Sequence, residues 1–312
     1  MNIITHIEPK TPPLSWDDFV KTYPENSIAL DGFVTGPTHF FKNEKGSWAN
    51  FNHHEGVDRL STRATCAQTL LAIRQGLMKS FAGDIHLYVN DCDQDVCLSI
   101  FLIKNYLLVE NVLNPLVNKL VHIEDMMDTC AGAYPFPIEL LALREAAWVF
   151  HPYTLFRTNG GIERKNNIEF KTVIDDVENR IFKYITGHSE KIEPESSYEI
   201  IGGGKDWKMV IEHGYEARTQ MMKDGICAFV SVRTIDKSKS KYAYSIGKMS
   251  TFIPFDIPKI LTWLNHCDQV TETDFWGGSD TIGGSPRVNG SSLDPKSIEY
   301  FINLALYGNK EN

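Results

Sequence analysis

The chain has 312 residues, with 31 Lys and Arg against 40 Asp and Glu and a formal net charge of −9. That length allows two domains with separate hydrophobic cores, and the 42% hydrophobic content excludes a disordered chain. The acidic balance argues against duplex DNA and anionic membranes as partners, because both require a positive field. Small phosphorylated substrates remain compatible with it, because a bound cation can reverse the local field.

The cysteine pattern and the apolar segments bear on the compartment. The six cysteines form no CxxC pair and no zinc-finger spacing, which indicates buried thiols in a reducing compartment. The opening residues lack the basic and apolar regions of a signal peptide, and no apolar run reaches the roughly 18 residues of a membrane helix. We therefore expect a cytoplasmic protein that does not contact a membrane.

The first part of the chain alternates strand-like and helix-like segments, which predicts an α/β fold. Polar residues follow the predicted strands, and functional groups of open α/β sheets gather at the carboxyl ends of strands. The predicted elements are an irregular arm containing Pro9, Pro12 and Pro13, strands at 27–33, 46–55 and 84–90, and helices from Ser61 (capped by Ser61 or Thr62), after residue 95, and at about 136–148 and 168–186.

A polar, acidic segment at 187–200 marks the predicted domain boundary. We expect a first domain at 1–190, with a mostly parallel sheet and flanking helices, and a smaller α/β domain at 200–312. The second domain is predicted to contain strands at 226–235 and 241–250 joined by a Lys/Ser turn at 236–241, a helix at about 256–266, a glycine-rich loop and a helix near 294–307.

Three aspartates, Asp91, Asp93 and Asp95, alternate directly after the strand at 84–90. Alternating acids at a strand end can direct at least two carboxylates into one site, where a cation would relieve their repulsion. An EF-hand is excluded, because its sixth-position glycine and twelfth-position acid are both missing. A solvated turn with helix-capping acids is the alternative interpretation.

Further candidate ligands follow other apolar segments. His53 and His54 end the strand at 46–55, and Asp31 ends the strand at 27–33. The histidines can converge at a strand-to-loop turn, although an exposed polar loop is the alternative. Asp125 and Asp128 form a fourth cluster. Mixed Asp and His ligation at one sheet edge fits Mn²⁺ or Mg²⁺ better than structural Zn²⁺.

These segments resemble the motifs of the DHH phosphoesterases. SIALDGF and ANFNHHEGVDRLSTRATCAQTLLAI are similar to the second and third motifs of that family, YVNDCDQDVCLSI to the first, and MMDTCAGAYPF to the fourth. SIGKMSTF and WGGSDTIGGSPRVNGSSL resemble DHHA1, the substrate-binding domain that follows the catalytic domain. The resemblance assigns 1–190 to a DHH-like metal-binding catalytic domain and 200–312 to a DHHA1-like domain.

The resemblance also implies a cofactor and roles for individual residues. It implies two divalent cations per chain, Mn²⁺ or Mg²⁺, with His54 contacting the scissile phosphate and Asn52 in the place of the motif's first acid. The implied metal ligands are Asp31 as the bridging residue, His53, Asp91, Asp93, Asp95, and Asp128 with Asp125 as its substitute. The implied substrate-binding residues are Gly283, Gly284, Ser285 and Arg287.

The expected function is a metal-dependent phosphohydrolase that cleaves a phosphodiester or phosphoanhydride of a nucleotide or short oligonucleotide in an interdomain cleft. A homo-oligomer is compatible with this sequence. Asn52, the changed motif order and the glycine loop without the family's histidine motivate an alternative, a catalytically inactive sensor or assembly subunit that binds a nucleotide-like ligand. A third interpretation is an unrelated α/β enzyme whose acids are helix caps and surface charges.

Overall fold

In the computed structural model, the described residues are 1–54, 56–58, 61–110, 114–130, 134–236 and 241–308. The chain divides into two units, the first formed by Met1–Thr129 with Glu139–Glu193 and the second by Cys130–Ile138 with Pro194–Asn312. Each unit contains one mixed sheet with helices. The predicted α/β fold is therefore confirmed. No helix of the described residues has both the length and the apolar character needed to cross a bilayer.

The sheet of the first unit has the order β1-β5-β2-β4-β3, and all its neighbouring pairs are parallel except β4 with β3. The mostly parallel sheet is thus confirmed. Strands β2 and β4 are buried along their whole length, as expected for strands covered on both faces. The strands are β1 (Ile3–Ile7), β2 (Ser27–Leu30), β3 (His39–Lys42), β4 (Ser47–Phe51) and β5 (Ile85–Val89).

One helix of this unit is buried on nearly every side. Its residues from Asp95 to Ile103 are all buried, which is the pattern of a helix inside a core. The helices of the first unit are α1 (Trp16–Thr22), α2 (Thr65–Arg74), α3 (Gln94–Lys104), α4 (Tyr106–Glu110), α5 (Pro115–Thr129), α6 (Leu141–Thr158), α7 (Gly161–Arg164) and α8 (Asn167–Ile185), and α3 is the buried one.

The predicted irregular arm and the predicted start of the helix at 136–148 are wrong. The opening residues are not an irregular arm, because β1 pairs in parallel with β5 before the first proline is reached. The helix predicted at 136–148 is α6, which begins five residues later and extends to Thr158. Pro135 and Pro137 precede it and cannot donate helical hydrogen bonds, which accounts for the late start.

The second unit has a sheet of order β10-β11-β9-β8-β7-β6, in which β7 and β8 are the parallel pair. The predicted strand pair is confirmed as antiparallel β8 and β9, and residues 237–240 of the predicted turn lie outside the described residues. The elements are β6 (Tyr198–Gly203), β7 (Lys208–Glu212), α9 (Ala217–Lys223), β8 (Ala228–Asp236), β9 (Lys241–Lys248), α10 (Ile257–Cys267), β10 (Gly277–Gly278), β11 (Ile282–Gly284) and α11 (Pro295–Tyr307).

The glycine-rich segment is not the open loop that the sequence predicts. Its glycines form β10 and β11, which pair with each other, and β11 also pairs with β9. A Cβ on Gly284 would lie 2.8 Å from the carbonyl oxygen of Tyr244, so the close approach of the strands requires a glycine there. Gly278 has a φ of +157° and lies against the backbone of Gly283. These glycines therefore serve the packing of strands.

Candidate metal centre

Asp31 follows β2 at the carboxyl end of the sheet. Its backbone is left-handed, with a φ of +50°, and its N–H donates to the carbonyl of Phe51 at 2.9 Å. A left-handed non-glycine residue is strained, and such strain concentrates at functional sites. The side chain is buried and accepts a hydrogen bond from the hydroxyl of Thr65 at 3.0 Å. The strand end thus holds this carboxylate inside the first unit.

The two histidines after β4 both reach Asp31. The Nε2 atom of His54 lies 2.9 Å from Asp31 Oδ1, and Nε2 of His53 lies 3.4 Å from the same oxygen. They converge because β4 ends at Phe51, so the alternation of side chains along a strand no longer applies. His53 is fully buried, whereas the side chain of His54 is 38% exposed.

The three aspartates after β5 have different local roles. Asp95 accepts hydrogen bonds from the N–H groups of Thr65 at 2.7 Å and Cys66 at 2.6 Å, so its carboxylate closes the first turn of α2. This explains why α2 starts at Thr65 and not at the predicted Ser61. Asp93 caps α3 through the N–H of Val96, and Asp91 accepts from the next N–H in the chain.

Four of the predicted ligands, together with His54, form two overlapping groups. One contains Asp31, His53 and His54, the other contains His53, Asp95 and Asp128, and the ligand atoms of each group lie within 4.8 Å of one another. Asp91 and Asp93 contribute to neither group. Asp125 is also outside them, because its carboxylate accepts from Ala64 N–H and pairs with Arg63.

The polar contacts around His53 suit a cation better than a hydrogen-bond network. Its Nε2 atom lies 2.6 Å from Asp128, 3.4 Å from Asp31 and 3.6 Å from Asp95. One N–H can satisfy only one of these oxygens, and among the described residues neither His53 Nε2 nor Asp128 Oδ2 has a partner in hydrogen-bond geometry. Carboxylate oxygens with imidazole nitrogen form a donor set for divalent ions such as Mn²⁺, Mg²⁺ or Zn²⁺.

The titration of the centre reflects crowded charges. Burial lowers the pKa of His53, but the carboxylates of Asp128 and Asp31, which lie close to its Nε2 atom, raise it to about 10. Burial raises the pKa of Asp95 to about 8, with the charges of Asp31 and Asp128 acting in the same direction. Burial would also raise the pKa of Asp31, yet its contacts with both histidines hold it well below the usual range. The centre therefore retains protons that a divalent cation would displace.

Asp91 and Asp93 contribute to the field of the centre although they lie outside the two ligand groups. Burial raises the pKa of Asp93, and the negative charges of Asp31, Asp91, Asp128 and Asp95 raise it further. Burial likewise raises the pKa of Asp91. Five carboxyl groups thus repel one another here, which is the arrangement that a bound cation stabilises.

Sequence reasoning missed several residues around the centre. The motif resemblance implies no role for Thr65, yet it contacts Asp31 and Asp95. The motifs also do not include Tyr153 and Arg157. Burial and the charges of nearby acids raise the pKa of Tyr153, and the charge of Arg157 acts to lower the pKa of Asp91. They are four residues apart on α6, and that helical spacing was the available signal.

Asn52, in the place of the motif's first acid, belongs to the loop and not to the ligand groups. It is fully buried, and its Nδ2 donates to the carbonyl of Gly36 at 2.8 Å. Its Oδ1 accepts the N–H of His54 at 3.1 Å. Both ends of the amide are therefore used to hold the loop that carries the histidines.

Asn52→Asp is expected to destabilise the protein by about 1–3 kcal/mol, because a carboxylate oxygen would face the Gly36 carbonyl in place of a donor. Urea unfolding measures this change. Asn43→Asp is the control: Oδ1 of Asn43 accepts from Lys45 and Gly46, which a carboxylate can also do, so its effect should stay within about 0.5 kcal/mol. Higher Mn²⁺ affinity without lost stability in Asn52→Asp would contradict this expectation.

The predicted substrate-binding residues lie in the second unit. Gly283 and Gly284 belong to β11, and the hydroxyl of Ser285 accepts the N–H of Tyr244 at 3.0 Å. Arg287 is exposed. Of the four residues, Arg287 is therefore the one whose side chain faces solvent.

No protein-family model matches this chain, and no curated protein matches it either. The resemblance to the DHH phosphoesterases rests on the quoted motifs and stays a prediction.

Proposed function

We propose that the chain is a DHH-like phosphohydrolase that cleaves a phosphodiester or phosphoanhydride of a nucleotide or short oligonucleotide in the cytoplasm. The observation that carries the proposal is the single imidazole nitrogen of His53, with Asp31, Asp95 and Asp128 at 2.6–3.6 Å. Such a donor set fits Mn²⁺ or Mg²⁺, and the family resemblance adds two ions per chain.

Asp31, His53, Asp95 and Asp128 would hold the ions, and His53 is common to both groups. Two bound divalent cations supply a nucleophile at neutral pH and neutralise the charge of the phosphoryl oxygens. Thr65 orients Asp31 through its hydroxyl, and the α2 amides orient Asp95. Such outer contacts fix ligand geometry before substrate arrives.

His54 is the residue proposed to contact the scissile phosphate. Burial lowers its pKa, but the hydrogen bond and charge of Asp31 outweigh this effect and raise it overall. The raised pKa favours the protonated form of this partly exposed ring beside Asp31, and that form can donate to an anionic phosphoryl oxygen. The resemblance also implies that Arg287 binds substrate, and its side chain is exposed in the second unit.

The alternative function is a ligand-binding sensor or assembly subunit without turnover. Asn52 favours it, because the motif's first acid is replaced by an amide that serves the loop. Both functions involve a nucleotide-like ligand, so turnover is the property that separates them.

The test combines metal content with hydrolysis. We expect close to two Mn²⁺ per chain by elemental analysis after reconstitution, and Mn²⁺-dependent hydrolysis of bis(p-nitrophenyl) phosphate or a short oligonucleotide that stops on chelation. Two ions with ligand binding but no turnover would favour the sensor. Hydrolysis that continues in excess chelator, or no bound Mn²⁺ or Mg²⁺, would reject the phosphohydrolase.

A further inference from the structure

Arg63 lies at the entry to α2 and is held by one carboxylate. Its Nη1 donates to Asp125 Oδ2 at 3.1 Å, and the N–H of the next residue, Ala64, donates to Oδ1 of the same side chain at 2.7 Å. Asp125 therefore fixes both the backbone beside Arg63 and the position of its guanidinium group.

The guanidinium group remains available to a ligand. The side chain of Arg63 is 63% exposed, whereas that of Asp125 is 9% exposed. A guanidinium group has five N–H donors, and within the described residues Asp125 accepts from Nη1. The exposed side chain is already held by Asp125, which lowers the entropic cost of binding an anion with its other donors.

Arg63 is positioned by α2, whose first turn it precedes, and by Asp125 on α5, and both helices carry residues of the metal centre. Two residues after Arg63, Thr65 donates its hydroxyl to Asp31 and its N–H to Asp95. Three residues after Asp125, Asp128 lies against His53 at 2.6 Å, on the same side of α5. The two segments that hold Arg63 in place therefore also hold residues of the ligand groups.

The charge of the centre creates a need for such a cation. The carboxylates of the ligand groups repel an anionic substrate, and the proposed metal ions act on the phosphoryl oxygens that they touch. An arginine beside them can bind further phosphoryl oxygens in the bidentate manner that matches its planar shape.

We infer that Arg63 binds an anionic phosphoryl oxygen of the substrate beside the metal centre, and that Asp125 is its positioning residue. This inference rests on the proposed function, because that function supplies the phosphorylated ligand. Arg63 was not among the residues that the motif resemblance implies.

The experiment measures the affinity of the Mn²⁺-loaded protein for inorganic phosphate by calorimetry, together with the Mn²⁺ content. We expect Arg63→Gln to weaken phosphate binding by about 10- to 100-fold, since charge-assisted hydrogen bonds are lost, without changing the number of bound ions. Arg63→Lys keeps the charge but not the bidentate geometry, and should lie in between. In turnover, KM should rise while kcat changes little.

Arg164→Gln is the matched control. Arg164 is also exposed and pairs with a single carboxylate, Glu169, at 2.7 Å, so its loss should leave the phosphate affinity unchanged. Equal phosphate affinity in Arg63→Gln and wild type would overturn the inference, as would loss of Mn²⁺ from Arg63→Gln.

Failure of the proposed function is distinguishable from failure of this inference. If the wild type binds no Mn²⁺, the phosphohydrolase is rejected, and the titration is repeated on the metal-free protein. Phosphate binding that depends on Arg63 would then support Arg63 as an anion-binding residue. Phosphate binding that is absent, or equal in Arg63→Gln and wild type, would overturn the inference.

Discussion

Asp128→Asn is expected to lower Mn²⁺-dependent phosphodiester hydrolysis by more than about 100-fold, because loss of even the outer partners of metal ligands costs about 10–100-fold. It should also lower the Mn²⁺ content below that of the wild type. The amide keeps the size of the side chain but removes the negative charge that lies 2.6 Å from His53 Nε2.

Asp128 is the ligand candidate whose replacement disturbs the fold least. Its side chain is 27% exposed, and its Oδ2 has no hydrogen-bond partner in the part of the chain that the structure describes. Asp95, by contrast, holds the first turn of α2, and Asp93 caps α3. Loss of activity in variants at those two positions would therefore mix catalysis with folding.

Asp175→Asn is the control for the Asp128 variant. Asp175 lies on a helix of the same unit and forms a surface ion pair with Lys171, so its loss should leave metal content and turnover unchanged. If Asp128→Asn retained both the wild-type rate and the wild-type Mn²⁺ content, the assignment of Asp128 as a ligand would be wrong.

The stability of the metal-free protein is expected to fall as pH rises from about 6.5 to 8, and Mn²⁺ should counteract the fall. In the folded protein the pKa of His53 is raised from 6.5 to about 10, and that of Asp95 from 3.8 to about 8. The folded state thus holds protons that the unfolded state has released. For each proton that only the folded state holds, the unfolding free energy falls by about 1.4 kcal/mol for every unit by which the pH rises.

The sign is the same for both groups. The contribution of Asp95 is complete below pH 3.8 and is lost as pH rises towards about 8, and that of His53 is lost between 6.5 and about 10. The two losses overlap between 6.5 and 8, where the slope should be steepest. Bound Mn²⁺ requires the deprotonated ligands, so it should stabilise the protein more at pH 8 than at pH 6.5.

Urea unfolding in chelator and in Mn²⁺, at pH 6.5 and pH 8, measures these differences. Free Mn²⁺ at about 100 times its Kd should add about 2.7 kcal/mol, or about 5–10 °C in Tm. Asp128→Asn should lose this gain. A metal-free protein whose stability is constant over this range, or an equal Mn²⁺ gain in the variant, would contradict the prediction.

Much of the centre follows from the positions of polar residues at strand ends. Asp31 and His53 follow β2 and β4, two parallel neighbours, and the carboxyl ends of parallel strands meet at one edge of a sheet. That rule brings the two residues together before any side-chain position is known. The mostly parallel sheet was predictable for the same reason, since strands and helices alternate along the chain.

Sequence spacing could not distinguish neighbouring acids from one another. Asp93 and Asp95 differ by two residues, yet one caps its own helix while the other reaches the amides of α2. Asp125 and Asp128 lie on one helix, and their different partners depend on where Arg63 and His53 are placed by distant segments. These choices depend on tertiary contacts, which local patterns do not contain.

The glycine-rich segment misled the prediction because glycine serves two purposes. It lets backbone amides approach an anion, and it also lets two strands approach each other closely. A single sequence does not separate these uses. The steric contact at Gly284 with Tyr244 shows that the second applies there.

Asp95 both closes the first turn of α2 and belongs to a ligand group, and this combination affects how such a chain would evolve. Its carboxylate is tied to the amides of Thr65 and Cys66 as well as to the metal-binding groups, so a substitution would damage the fold even in a descendant that had lost catalysis. Asp128 has no comparable structural tie and would be free to drift once selection on turnover ended. Among relatives of this chain, retention of Asp95 would therefore say little about activity, whereas retention of Asp128 would be informative.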